Sequence, residues 1–149
     1  MQLRTSLVLV MASVAVLACG TTPPSIAVGT PPPPNAPRQA CHNGNCNVTV
    51  RVDNCAVSLP FPVLEFGGPG NGRKRKIIWV IQDNDYEFAS SGALDPKGSA
   101  AFFGTPTISG PVMHTEATVE NANTTHEYGL SVVKRNGTAC PKLDPWVIE

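Results

Sequence analysis

Apolar and polar residues alternate from Cys46 to Val52, with Val48, Val50 and Val52 on one face and Asn47, Thr49 and Arg51 on the other. That two-residue period marks a half-buried strand. Residues 76–82 (KIIWVIQ) are apolar at consecutive positions, which suits a central strand covered on both faces. Between them, residues 57–66 carry Pro60 and Pro62. Proline donates no ladder hydrogen bond, so this stretch predicts an edge strand or a bent pair. The run GGPGNG at residues 67–72 predicts a turn, and Asp83 to Asp85 ends the central strand. Short strands are predicted at residues 86–89, 99–103, 111–120 and 145–148, with a loop at 92–98 around Asp95 and Pro96. Residues 127–135 put Tyr128, Leu130 and Val132 on one face of a further strand.

No stretch sustains a 3.6-residue period and no internal repeat is present. Fifteen Pro and 13 Gly in 149 residues argue in the same direction, for short strands joined by turns. About seven short strands at this spacing predict an all-β domain, a small β-sandwich. Trp79 in a central strand and the later Tyr128-x-Leu130-x-Val132 strand resemble immunoglobulin-like domains. The resemblance implies that Trp79 fills the core between the sheets. It also implies that Tyr128 packs its ring inside and bonds a nearby turn. The inter-sheet cysteine pair of that family is absent from these strands.

The N-terminal segment is of another kind. Residues 1–6 are short, polar and carry Arg4; residues 7–18 (LVLVMASVAVLA) are apolar, and Cys19 follows at once. A basic start, a short apolar run and small residues at the cut describe a signal peptide, here residues 1–18. Twelve residues rise about 18 Å as a helix, too short for the roughly 30 Å of a bilayer core. Val16-Leu17-Ala18-Cys19 resembles the bacterial lipobox. In that family the cysteine thiol receives a diacylglyceryl group, and cleavage leaves it as the first residue. The resemblance therefore implies a precursor anchored to the membrane through lipid on Cys19, where two acyl chains hold stably. Gly20, not Asp, follows Cys19, which implies the outer membrane if the source is Gram-negative. Residues 19–40 carry Pro31 to Pro34 and almost no charge. They predict a disordered, semi-rigid polyproline II tether rising about 3.1 Å per residue. Residues 41–149 are left for the β-domain, enough to bury roughly 65% of the unfolded surface around one core.

Setting Cys19 aside, Cys41, Cys46, Cys55 and Cys140 remain. An even number in an exported domain predicts two disulfides, and four cysteines allow three pairings. Cys41 and Cys46 enclose His-Asn-Gly-Asn, a turn-forming stretch that suits a small ring. The preferred pairing is therefore Cys41 with Cys46 and Cys55 with Cys140, stapling the start of the domain to its end.

Eleven basic and eleven acidic residues give a formal charge of zero, so no overall field draws the chain to nucleic acid. The densest charge is Arg73, Lys74, Arg75 and Lys76. On a strand the two arginines point one way and the two lysines the other. Because they lead into a strand covered on both faces, they are expected to project beyond the sheet. They would then be a solvated strand end that blocks edge pairing, or a contact for phosphate-rich lipopolysaccharide or an acidic envelope protein. No aromatic residue interleaves them, against single-stranded nucleic acid.

Asp83, Asp85 and Glu87 alternate as calcium ligands can, but the pattern lacks the glycine of an EF-hand loop and suits a polar turn. No C-x-x-C is present, and no His or Met follows Cys140, so neither a zinc nor a blue-copper site is expected. His42, His114 and His126 lie far apart in sequence, and no G-x-S-x-G supplies a nucleophile. No catalytic residue, metal or cofactor is expected.

One resemblance covers most of the domain. Val48 to Val52, Trp79, Tyr86-Glu87-Phe88, Tyr128 to Val132 and the ending Cys140-Pro-Lys-Leu-Asp-Pro-Trp-Val-Ile are similar to a group of small exported proteobacterial proteins of unassigned role. It carries no activity with it. The expectation is a non-catalytic, membrane-anchored envelope lipoprotein with a binding or structural β-domain. The alternative is an inhibitor or immunity lipoprotein that blocks a toxin or lytic enzyme.

Replacing Cys19 with Ser is expected to abolish palmitate labelling and to leave the precursor uncleaved or mislocalised. Labelling of the variant at the wild-type level would contradict the lipobox reading.

Overall fold

The structure, a computed structural model, describes residues 31–41, 44–67, 72–120 and 123–149. The signal peptide, Cys19 and most of the tether lie outside the described residues, as do His42 and residues 68–71 of the 67–72 turn. The described chain contains no helix and is about 53% strand, an all-β domain. Its strands are β1 (Arg38–Cys41), β2 (Asn45–Asp53), β3 (Ala56–Ser58), β4 (Val63–Phe66), β5 (Arg73–Ile81), β6 (Tyr86–Phe88) and β7 (Leu94–Asp95). Beyond them follow β8 (Thr107–Ser109), β9 (Val112–Val119), β10 (Thr125–Glu127), β11 (Gly129–Leu130), β12 (Val132–Lys134) and β13 (Trp146–Ile148).

Two sheets form a sandwich-like pair. One has the order β3-β2-β5-β9-β8 and the other β1-β4-β13-β10, with two-stranded ladders β6–β12 and β7–β11 beside them. Both sheets contribute to one core, which includes Val48, Val50, Trp79 and Met113 from the first and Leu64, Phe66 and Val147 from the second. The alternation in β2 is as expected, with Val48, Val50 and Val52 buried.

β2 and β5 run parallel, and a parallel pair needs a long crossover. The chain supplies it by leaving the first sheet after β3, building β4 in the second, and returning as β5. Pro60 and Pro62 fall in that exit, so residues 57–66 are a bent pair. β3 lies on an edge as expected, but β4 lies between β1 and β13, with its prolines outside the ladder. Parallel pairs β2–β5, β1–β4 and β4–β13 also set this strand order apart from an immunoglobulin sandwich. The first strand begins at Arg38, ahead of the boundary that composition suggests.

Three expectations require correction. β5 is central, and Ile77, Trp79 and Ile81 are buried, but Ile78 is half-buried and Val80 is 38% exposed. The strand is covered on one face, because a second layer packs on only one side of its sheet. Residues 99–103 form a turn in which the amides of Phe102 and Phe103 both donate to the Ser99 carbonyl. A strand would point consecutive rings to opposite faces, whereas the turn buries both, edge to face with centroids 4.8 Å apart. Tyr128 accepts its hydrogen bond from the Trp79 indole Nε1, at 3.3 Å, and not from a turn.

The cysteines pair as preferred, Cys41 with Cys46 and Cys55 with Cys140. Asn54 and Cys55 both have positive φ, 46° and 68°, the conformation of a two-residue type I′ hairpin between β2 and β3. Glycine is the usual choice at the second position. Cys55 is held there by its bridge and by its amide, which donates to Tyr86 Oη at 3.1 Å.

Tyr128→Phe is expected to lower stability by about 1–3 kcal/mol, since it strands the buried Trp79 donor. Chemical denaturation monitored by Trp fluorescence checks this. Replacing Cys55 and Cys140 together with Ala should cost about 2–5 kcal/mol, because the bridge closes most of the domain. A loss well under that range would show that the bridge does not constrain the unfolded chain.

Candidate functional site: the basic end of the central strand

The four basic residues belong to β5 itself and do not project beyond the sheet. Arg73, Lys74, Arg75 and Lys76 lie opposite Val119, Thr118, Ala117 and Glu116 of β9. β2 pairs with β5 only from Lys76 onward, so among the described residues Arg73 to Arg75 are paired with β9 alone and sit where an edge-blocking charge would.

Strand alternation divides the cluster in two. Lys74 and Lys76 share the outer face with Ile78 and Val80. There Lys74 Nζ meets Glu116 Oε2 at 3.0 Å, with both side chains more than half exposed, and Lys76 is Glu116's partner in register. The lysines therefore face an acid already in place. Arg73 and Arg75 continue the inner row of Ile77, Trp79 and Ile81, opposite the buried Val119 and Ala117 of β9. Among the described residues, no ion pair joins either arginine to a carboxylate.

Arg75 is half-buried, between Ala117 of β9 and Gly44 before β2. A Cβ on Gly44 would meet Arg75 Nη1 at 3.8 Å, an ordinary contact, and its φ of 88° is what favours glycine there. Arg75 Nε is buried and has no hydrogen-bond partner among the described residues. A buried donor without an acceptor costs about 1–3 kcal/mol, more when it is charged.

Several charges elsewhere in the domain are paired with one another. Lys97 Nζ bridges Glu127 at 2.8 Å and Asp144 at 2.7 Å. Burial works against its charge, but the hydrogen bonds it donates to Asp144 and Glu127 prevail and hold its pKa above the usual lysine range. The Lys142 ammonium, with help from the Lys97 amide, holds Asp95 below the usual carboxylate range. Burial pushes the Tyr128 phenol well above its ordinary value, so it stays neutral and accepts from Trp79.

Two arrangements were not legible in the sequence. His126 Nε2 lies 2.5 Å from Glu149 Oε1, while Phe102 stacks on the imidazole with centroids 4.0 Å apart. Glu149 Oε2 also accepts from the Glu120 amide at 2.6 Å. This pair ties β10 to β13 under an aromatic cover. His114 is elsewhere, on the outer face of β9 opposite Ile78. The second arrangement is a cavity of about 240 Å³ at the corner between the sheets, lined by Gln39, Asn47, Val48, Thr49, Pro60 and Phe61. An aromatic between two prolines was its single sequence signal. Asp83 closes a local turn by accepting the Asp85 amide at 2.9 Å.

A scan against protein-family models finds no match for the chain, and a search of curated proteins finds none.

Replacing Arg73 and Lys74 with Ser is expected to change stability by less than about 0.5 kcal/mol, since both are exposed and the Lys74 pair is solvated. A larger loss in urea unfolding would show that the strand end holds the sheet together.

Proposed function

We propose that this chain is the precursor of an exported envelope lipoprotein, anchored by lipid on Cys19, whose non-catalytic β-domain binds an anionic partner. Arg73 and Arg75 carry the contact. The observation that supports this most is Arg75 Nε, a buried cationic donor with no acceptor among the described residues. A phosphate or carboxylate group supplies two acceptor oxygens in the geometry a guanidinium fits. Arg73, two residues away on the same strand face, adds a second charge. Lipopolysaccharide phosphates and the acidic face of an envelope protein both offer such groups.

The cysteine arithmetic favours export. Four of the five cysteines are bridged, which leaves Cys19 as the odd one. Disulfides persist outside the cytosol, and a lone cysteine directly after an apolar segment suits lipidation. The Pro-rich stretch between Cys19 and β1 would hold the domain away from the lipid.

The test is binding of the mature, detergent-solubilised lipoprotein to lipopolysaccharide at low and high salt. Association is expected to be weak and to fall as salt rises, because screening shortens to about 8 Å near physiological ionic strength. Arg73→Gln and Arg75→Gln should each weaken it, while Lys74→Ser should not. Binding that survives high salt, or that ignores both arginine changes, would contradict the proposal.

A further inference from the structure

The corner cavity has a composition that the arginine end lacks. β3 pairs with β2 only from Arg51 to Asp53, so among the described residues the edge of β2 before Arg51 is paired with no strand. In β2 the even residues point their backbone groups toward β5, as the Val50 carbonyl does in accepting from Gln82. The backbone groups of Asn47 and Thr49 therefore point the other way, into the cavity. Gln39 of β1 reaches across, and its Nε2 donates to the Asn47 carbonyl at 2.7 Å. The connection through Pro60 and Phe61 forms the opposite wall. Phe61 is 44% exposed, an unusual setting for a ring in a domain whose other phenylalanines, at 66, 88, 102 and 103, are all buried.

We propose that this cavity is a binding subsite for one uncharged pyranose ring of a glycan. Four features select that ligand, and none of them depends on the arginine reading. The volume, about 240 Å³, lies below the roughly 300–1,000 Å³ of sites for drug-sized molecules and suits a single ring. No charged side chain lines it, so nothing there recognises a phosphate or carboxylate. The open face of Phe61 carries the negative side of an aromatic quadrupole, which attracts the slightly positive C–H face of a sugar ring. Around it stand the Asn47 amide and the Thr49 hydroxyl, which both donate and accept, and Gln39 Oε1, which accepts. Sugar hydroxyls, which also do both, need this mixture. An extended peptide would need an open strand edge. Here Gln39 already holds the Asn47 carbonyl and residues 60–61 wall the edge, so a compact ring fits where an added strand does not.

The proposal is tested by following the amide resonances of the mature chain by NMR during titration with cellotriose and with chitotriose. A blocked peptide of alternating valine and threonine serves as the competing probe. Saturable millimolar shifts with either trisaccharide, centred on Gln39, Asn47, Thr49 and Phe61, are expected. Phe61→Ala should weaken the binding about tenfold, or roughly 1.4 kcal/mol. Asn47→Ala, on an exposed position, should weaken it while leaving the spectrum of the core unchanged. Three outcomes would overturn the proposal: no shift with either sugar, shifts indifferent to Phe61→Ala, or shifts at these residues with the peptide alone. Arg73→Gln leaves sugar binding intact if the subsite is right, so failure here and failure of the arginine reading are separable.

Discussion

The contact between Trp79 and Tyr128 is the one on which the rest of the molecule depends. Both side chains are fully buried, their ring centroids are 5.7 Å apart, and the indole donates to the phenol oxygen. Large aromatic side chains fill core volume that small strands cannot, but each brings a polar atom that must find a partner in a dry interior. Here the two polar atoms satisfy one another. Trp79 belongs to the middle strand of the five-stranded sheet. Tyr128 sits between β10 and β11 and also contacts Phe103, with centroids 5.3 Å apart. The pair thus joins segments 49 residues apart in sequence. Most of the strands are too short to be stable alone, and their order follows from being gathered around this point.

The parts of the fold that rest on local periodicity were legible. β2 alternates with a period of two and is half-buried. Residues 128, 130 and 132 share the core face, and the strand at Trp146–Ile148 follows its proline. The disulfide pairing followed from a turn-forming spacer. What was not legible depends on the second layer. KIIWVIQ is continuous in sequence, yet Val80 faces outward, because burial of the outer face is decided by what lies above the sheet. Phe102 and Phe103 suggest a strand until one asks where both rings go. The bond from Trp79 to Tyr128 is long-range and leaves no local mark, so a nearby turn was the natural expectation for the phenol.

The same logic separates the two candidate sites. Arg73, Lys74, Arg75 and Lys76 are conspicuous as a run of charge, but the run is not the functional unit. Strand alternation gives the lysines to the face that holds Glu116 and the arginines to a face where, among the described residues, no acid pairs with them. The corner cavity has no run at all. Its residues come from β1, β2 and the Pro60–Phe61 exit, brought together by the crossover that parallel pairing of β2 with β5 requires. The neutral corner cavity and the pair Arg73 and Arg75 thus lie along the neighbouring strands β2 and β5, joined by one core.

The central claim is that Arg75 presents to an incoming anion a buried donor with no acceptor among the described residues. The most direct measurement is the arginine Nε–Hε region of the NMR spectrum of the mature protein as inorganic phosphate is added. The Arg75 Hε should exchange slowly with solvent and shift with phosphate, with Arg73 following, while the Trp79 indole resonance stays in place. A fast-exchanging Arg75 Hε that is indifferent to phosphate, or a Trp79 resonance that moves with it, would contradict the account.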